Sequence, residues 1–210
     1  MKTIEVRHKG QTALMTYNGQ GHVREIEKSG GKFFESWMLE AIARMPYRPG
    51  ICLDIGANVG NHTVFFSRFC NFDEVWAYEP DKESFKILTD NVQKNCSRTV
   101  RLFHCAIGSE RKYVRMTKKD EPPQNQVIHE RGRTLVLPIQ TNLKVALMKI
   151  DVEGYEMEVI KGAYTVIARE LPELFIETHG DPIDVLRALP PAYSVIKRYN
   201  NSPTYHFSAT

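Results

Sequence analysis

From Ile51 onward the chain alternates short, unbroken apolar runs with longer stretches of 3.6-residue period. "ICLDI" leads into the helical pattern "NHTVFFSRFC", "EVWAY" into "DKESFKILTDNVQKN", and "VRLFHCAI" stands as the next strand. "VALMKI" then precedes a helix from about Tyr155 to Ala168, and "ELFIET" precedes the short helix "PIDVLRAL". Strands that are apolar on both faces and separated by helices specify a mostly parallel sheet covered on both sides, an α/β fold of Rossmann-like type. The tail runs "YSVIKRY" and "PTYHFS" read as a terminal antiparallel hairpin.

Outside this alternation the pattern is weaker. Residues 1–50 read as an N-terminal appendage or cap, with short alternating stretches, a Gly-rich loop "YNGQGHVREIEKSGGK" and a helix "FFESWMLEAIARM" stopped by "PYRPG". Residues 51–210 form the core domain. Between residues 111 and 141, "KKDEPPQNQ" is polar and proline-broken, and "RTLVLPIQ" reads as a strand. The stretch from Lys118 to Arg133 is therefore expected to be a mobile lid or binding loop, with His129, Arg131 and Arg133 either solvated charges, the commoner case, or a greeting for an anionic acceptor such as a phosphorylated sugar or nucleic acid.

Composition narrows the class. Lys and Arg (28) barely exceed Asp and Glu (25), which is no footprint for nucleic acid. No run of eighteen apolar residues is present, so no membrane span is expected, and "MKTIEVRHKGQTALM" lacks the apolar core of a signal peptide. Cys52, Cys70, Cys96 and Cys105 show no CxxC pairing, which points to a reducing cytoplasm.

The turn after the first core strand, "DIGANVGNH", narrows the ligand. Gly56 and Gly60 permit a tight reversal, but Asn58 and Asn61 stand where a dinucleotide fingerprint needs glycine, and no Gly-Lys-Ser/Thr ending follows. An acid, Asp54, at the lip of the turn disfavours a pyrophosphate and suits a cationic group. The second strand ends at Glu79 and Pro80, where a carboxylate can accept both hydroxyls of a ribose. The third ends at Cys105, Ala106 and Ile107, an apolar wall for a base. A ligand with a ribose and an ammonium but no phosphate is S-adenosylmethionine, whose product is S-adenosylhomocysteine. His62 faces either ligand or solvent, and Glu35 is placed to reach the methionine part from the N-terminal cap.

The segments "LDIGANVGNHTVFFS", "VWAYEPDKESFKILTDNVQKN", "AIGS", "LMKIDVEGYEMEVIKGA" and "IETHG" resemble, in order and across residues 33–180, the FkbM family of class I methyltransferases. The resemblance implies a seven-stranded sheet with the last strand antiparallel, S-adenosylmethionine as donor, and O-methylation of hydroxyls on sugars, glycans or natural products. It makes residues 51–210 the S-adenosylmethionine-binding methyltransferase domain. The sequence departs from the family before "KIDVEG" and over most of the first fifty residues, where acceptor specificity lies.

Deprotonating a hydroxyl acceptor requires a base, and the strand ends supply candidates. Asp151 and Glu153, and Glu177 and His179, each sit at i and i+2, a spacing that puts both members on one face of an extended chain. Asp151, Glu153 and His179 are the candidate catalytic groups, with no metal. Glu156 and Glu158 read as a solvated first helical turn. Two other readings stand beside O-methylation: an N-methyltransferase acting on an amine or nucleic-acid acceptor, and a non-catalytic cofactor-binding partner subunit.

Overall fold

The computed structural model describes residues 1–116, 128–130, 132–199 and 202–209, so most of the stretch from Lys118 to Arg133 expected to form a lid lies outside the described residues. The chain opens with an antiparallel hairpin, β1 (Lys2–His8) and β2 (Gln11–Tyr17). Next comes α1 (Gln20–Lys28), in the stretch whose glycines suggested a loop. Val23 and Ile26, three residues apart, are both buried, and that one-sided stripe outweighs the low helix propensity of Gly21. The helix expected over "FFESWMLEAIARM" is α2 (Ser36–Ala43), which buries Met38, Leu39 and Ile42.

The core then alternates as its apolar runs dictate. β3 (Ile51–Ile55) is followed by α3 (Asn61–Phe69), and β4 (Val75–Tyr78) by α4 (Lys82–Asn95). Asp81 caps α4 by accepting the Ser84 amide, which fixes its start just after Pro80. The run "VRLFHCAI" does not form one strand. It divides into β5 (Val100–Phe103), which stays in the main sheet, and β6 (Ala106–Ile107), which leaves it. β6 joins β7 (Lys112–Met116), β8 (Ile128–Glu130) and β9 (Thr134–Leu137) in a four-stranded sheet of order β6-β9-β7-β8. The chain returns through β10 (Val145–Ile150), α5 (Glu156–Glu170), β11 (Glu173–Glu177) and α6 (Pro182–Ala188) to the hairpin β12 (Tyr193–Tyr199) and β13 (Thr204–Ala209).

The main sheet has seven strands in the order β12-β13-β11-β10-β3-β4-β5. β11, β10, β3, β4 and β5 are parallel, and only β13, the last strand of the chain, runs against them. Alternate strand residues face opposite layers. Cys52, Ala77, Leu147 and Phe175 pack in one cluster with α2, α3, α4 and the N-terminal hairpin, including Met15, Tyr17 and Phe33. Leu53, Ile55, Met148, Ile150 and Ile176 pack with α5 and α6 in the other. Residues 1–50 thus share a hydrophobic core with the sheet. No described helix is long and apolar enough to cross a membrane.

Candidate active site

The carboxyl ends of β3, β4, β10 and β11 open into a cavity of about 320 Å³. Open α/β sheets bind ligands at this end of their strands, where chain connections diverge. Its lining includes Glu35, Gly56, Asn58, Glu79, Pro80, Cys105, Ala106, Asp151 and Glu153 from the expected set.

The turn after β3 is held from within. Gly56 has φ +81, and a Cβ there would sit 1.7 Å from the Asp151 carbonyl oxygen. Its glycine is required by the close approach of two backbone segments. Asn58, at φ 49, donates its backbone N–H to Glu79 Oε2 at 2.7 Å, and Asp81 donates its own to Glu79 Oε1 at 2.7 Å. Two amides therefore fix the Glu79 carboxylate against the cavity wall. Among the described residues the buried side-chain Oδ1 of Asn58 has no hydrogen-bond partner. Cys105 is pushed up to about 11 by burial and stays a neutral thiol.

Four expected ligand-binding residues lie outside the lining. Asp54 is wholly buried, its carboxylate accepting a hydrogen bond from the Thr63 hydroxyl and facing Lys149 Nζ at 3.9 Å. A carboxylate with no exposed surface does not suit the ammonium-binding role expected at the lip of the turn. Gly60 caps α3 at φ 87 above Leu88. Asn61 joins the turn to the N-terminal segment, accepting from the Tyr17 hydroxyl at 2.8 Å and the Phe34 amide at 3.1 Å and donating to the Phe34 carbonyl. His62 is buried with Nε2 3.1 Å from Glu35 Oε2, close enough for an ion pair although off the geometry of a hydrogen bond.

The remaining candidates gather differently from their i, i+2 spacing. β10 ends at Ile150, and Glu153 adopts φ 52, so the chain turns before the second acid instead of carrying both on one extended face. Both acids still reach the cavity. His179 does not line it: its side chain is 66% exposed, with Nε2 3.8 Å from Glu177 Oε1. Glu156 is buried, not solvated, because its Oε1 accepts the Gly154 amide at 2.7 Å in the turn before α5. Glu158 holds Ser109 and Lys161.

Two groups organise the acids: Lys149, which sequence reasoning missed, and Glu177, which it paired with His179 but did not include among the candidate catalytic groups. Lys149, 3% exposed within β10, lies opposite Asp54 in the register and bonds Asp151 Oδ2 at 2.9 Å. Burial works against its charge, but Asp151, Asp54 and Glu35 outweigh that and hold the ammonium above its ordinary value. Glu177 ends β11, lines the cavity, and accepts the Ser202 hydroxyl at 3.2 Å from the turn between β12 and β13. Burial, then the neighbouring charge of Asp151, pushes Glu177 up to about 7, with Glu35 adding and Lys149 and Ser202 opposing. Glu35, at φ 55 before α2, sits below its ordinary value because His62, Lys149 and Ser202 outweigh the effect of its burial. The lone lysine in the apolar run "VALMKI", two residues before an acid, is a sequence signal that could have pointed to Lys149.

The chain matches the family model for the methyltransferase FkbM domain over residues 54–191. It belongs to that family. A hexuronic acid methyltransferase, AglP, from Haloferax volcanii is 26% identical over 149 residues, covering 65% of this chain and 59% of that protein. Methyltransferase 1 from Beauveria bassiana is 23% identical over 141 residues, covering 52% of this chain and 57% of that protein. The chain thus spans less than two thirds of the length of the curated relatives it matches. Among solved structures, an FkbM methyltransferase from Methylobacillus flagellatus KT superposes with a TM-score of 0.55 at 18% identity, over 78% of this chain and 45% of that one. A protein from Methanococcus maripaludis gives 0.54 at 13% identity over 93% and 97%. At such identities these structures speak to the fold.

Proposed function

We propose that this chain binds S-adenosylmethionine and transfers its methyl group to a hydroxyl of a sugar, glycan or natural-product-like acceptor. The observation that carries this reading is one cavity with a fixed carboxylate, Glu79, beside β4 and three further carboxylates, Glu35, Asp151 and Glu177, toward β10 and β11. Three strand spacings separate β4 from β11, about 14 Å, enough for an extended nucleoside with an amino-acid tail. Glu79 would take the ribose hydroxyls, and Tyr78, Cys105 and Ile107 supply an apolar wall for adenine. The acids at the other end suit an ammonium and a sulfonium. The donor supplies a methyl group already activated for displacement. The chain's residues have two tasks, to align the acceptor oxygen and to remove its proton.

The name of the H. volcanii relative supports a sugar acceptor. In this cavity Glu35, Asp151, Glu153 and Glu177 face inward and no described lining residue is Lys or Arg, so a hydroxyl suits the site better than a carboxylate. The same acids would also accommodate an amine, and the product distinguishes the two: an ether in one case, an N-methyl group in the other. The proton is assigned to a protein base. Turnover is expected to survive EDTA.

Calorimetric titration tests the reading. Both S-adenosylmethionine and S-adenosylhomocysteine should bind, and Glu79→Ala should weaken binding by about 1.5–3 kcal/mol, the range for hydrogen bonds to a charged group. Absence of binding by either ligand would refute the reading.

A further inference from the structure

Glu177 faces charged or polar groups from every element around it. Asp151 and Lys149 approach from β10, Glu35 from the start of α2, Ser202 from the β12–β13 turn, and His179 from just beyond β11. Glu156, from the first turn of α5, feels the charges of Asp151 and His179 in turn. Within this group Glu35, Asp151 and Glu177 line the cavity, whereas the nearest lysine, Lys149, has a side chain 4% exposed and is already engaged by Asp151 and Asp54. The cavity therefore meets a ligand with an excess of negative charge.

We infer that Glu177 is the base that takes the acceptor's proton, and that the positive charge of the bound donor is what deprotonates it for that task. The inference rests on the donor assignment above. In the free protein burial, and after it the neighbouring charge of Asp151, push Glu177 up to about 7, so that it holds a proton for part of the time. A sulfonium placed among these acids favours the ionised form and drives that proton out. During transfer the hydroxyl oxygen bonds to the methyl carbon as the carbon–sulfur bond breaks. The bonding pair stays on sulfur, and the hydroxyl proton passes to a Glu177 Oε atom. S-adenosylhomocysteine lacks the sulfonium, so the reprotonated glutamate no longer faces the charge that emptied it, and the same acids hold the product less tightly than the donor.

Titration calorimetry at pH 7, in buffers of different ionisation enthalpy, reads this without any acceptor. A carboxyl with a midpoint at about 7 carries about half a proton at pH 7. S-adenosylmethionine should release up to that amount from the wild-type protein and S-adenosylhomocysteine distinctly less. In Glu177→Gln the ligands should still bind and the extra release should vanish, which separates Glu177 from the donor's own amino group. Equal release with both ligands, or undiminished release in Glu177→Gln, would overturn the inference while leaving the donor assignment standing. Failure of S-adenosylmethionine to bind the wild-type protein would overturn both.

Discussion

Glu177→Gln should reduce turnover by about 10²–10⁴-fold, the range for a lost general base, while changing affinity for S-adenosylhomocysteine only a few-fold. The amide keeps the shape of the side chain and can still accept the Ser202 hydroxyl, but it cannot take a proton. The pH dependence has a definite sign. A base must be ionised, and the free protein holds Glu177 up to about 7. The wild-type kcat/KM should therefore fall as pH drops below about 7. If donor binding lowers that midpoint, kcat should fall at a lower pH than kcat/KM does. In Glu177→Gln the limb near 7 should be missing from both profiles. Measured turnover within a few-fold of wild type across this range would mean that alignment alone carries the reaction.

Lys149→Met should lower folding stability by about 3 kcal/mol or more. The substitution keeps an unbranched side chain of nearly the same size but removes the ammonium with its charge and hydrogen-bond donors, leaving Asp54 and Asp151 without their common partner. Asp54 has no exposed surface, whereas Asp151 is a quarter exposed and can recover part of its hydration, so the lower part of the 3–5 kcal/mol range for broken buried pairs applies. The deficit should narrow in acid, because an unpaired buried carboxylate escapes its penalty by protonating. Denaturant midpoints of both proteins at neutral and acidic pH measure it. Equal stabilities at neutral pH would show that the lysine does not compensate these acids.

The sheet could be read from the sequence because its central strands are buried on both faces. That condition writes them as continuous apolar runs, and the helices between them as 3.6-period stretches. The same logic misleads where apolar continuity does not mean one strand. "VRLFHCAI" is continuous, yet Ala106 and Ile107 pair with Val136 and Leu137 in the smaller sheet. The glycines of the N-terminal segment concealed α1, whose stability comes from Val23 and Ile26 packing against the rest of the fold. At the site, Glu79, Asn58 and Asp151 follow from their places at strand ends. The surroundings of Glu177 do not, because Ser202 lies 25 residues away and Glu35 belongs to the first fifty residues. Asp54 and His62 show the complementary case: polar residues next to a binding turn that are turned inward, Asp54 toward Thr63 and Lys149 and His62 toward Glu35, a distinction only packing reveals.

A crystal structure with S-adenosylhomocysteine bound is the most direct test of the central claim. The account predicts the ribose against Glu79, adenine on the wall of Tyr78, Cys105 and Ile107, and sulfur directed toward Glu177 between Glu35 and Asp151. A ligand bound with its sulfur turned away from these three acids, or bound outside this cavity altogether, would contradict it.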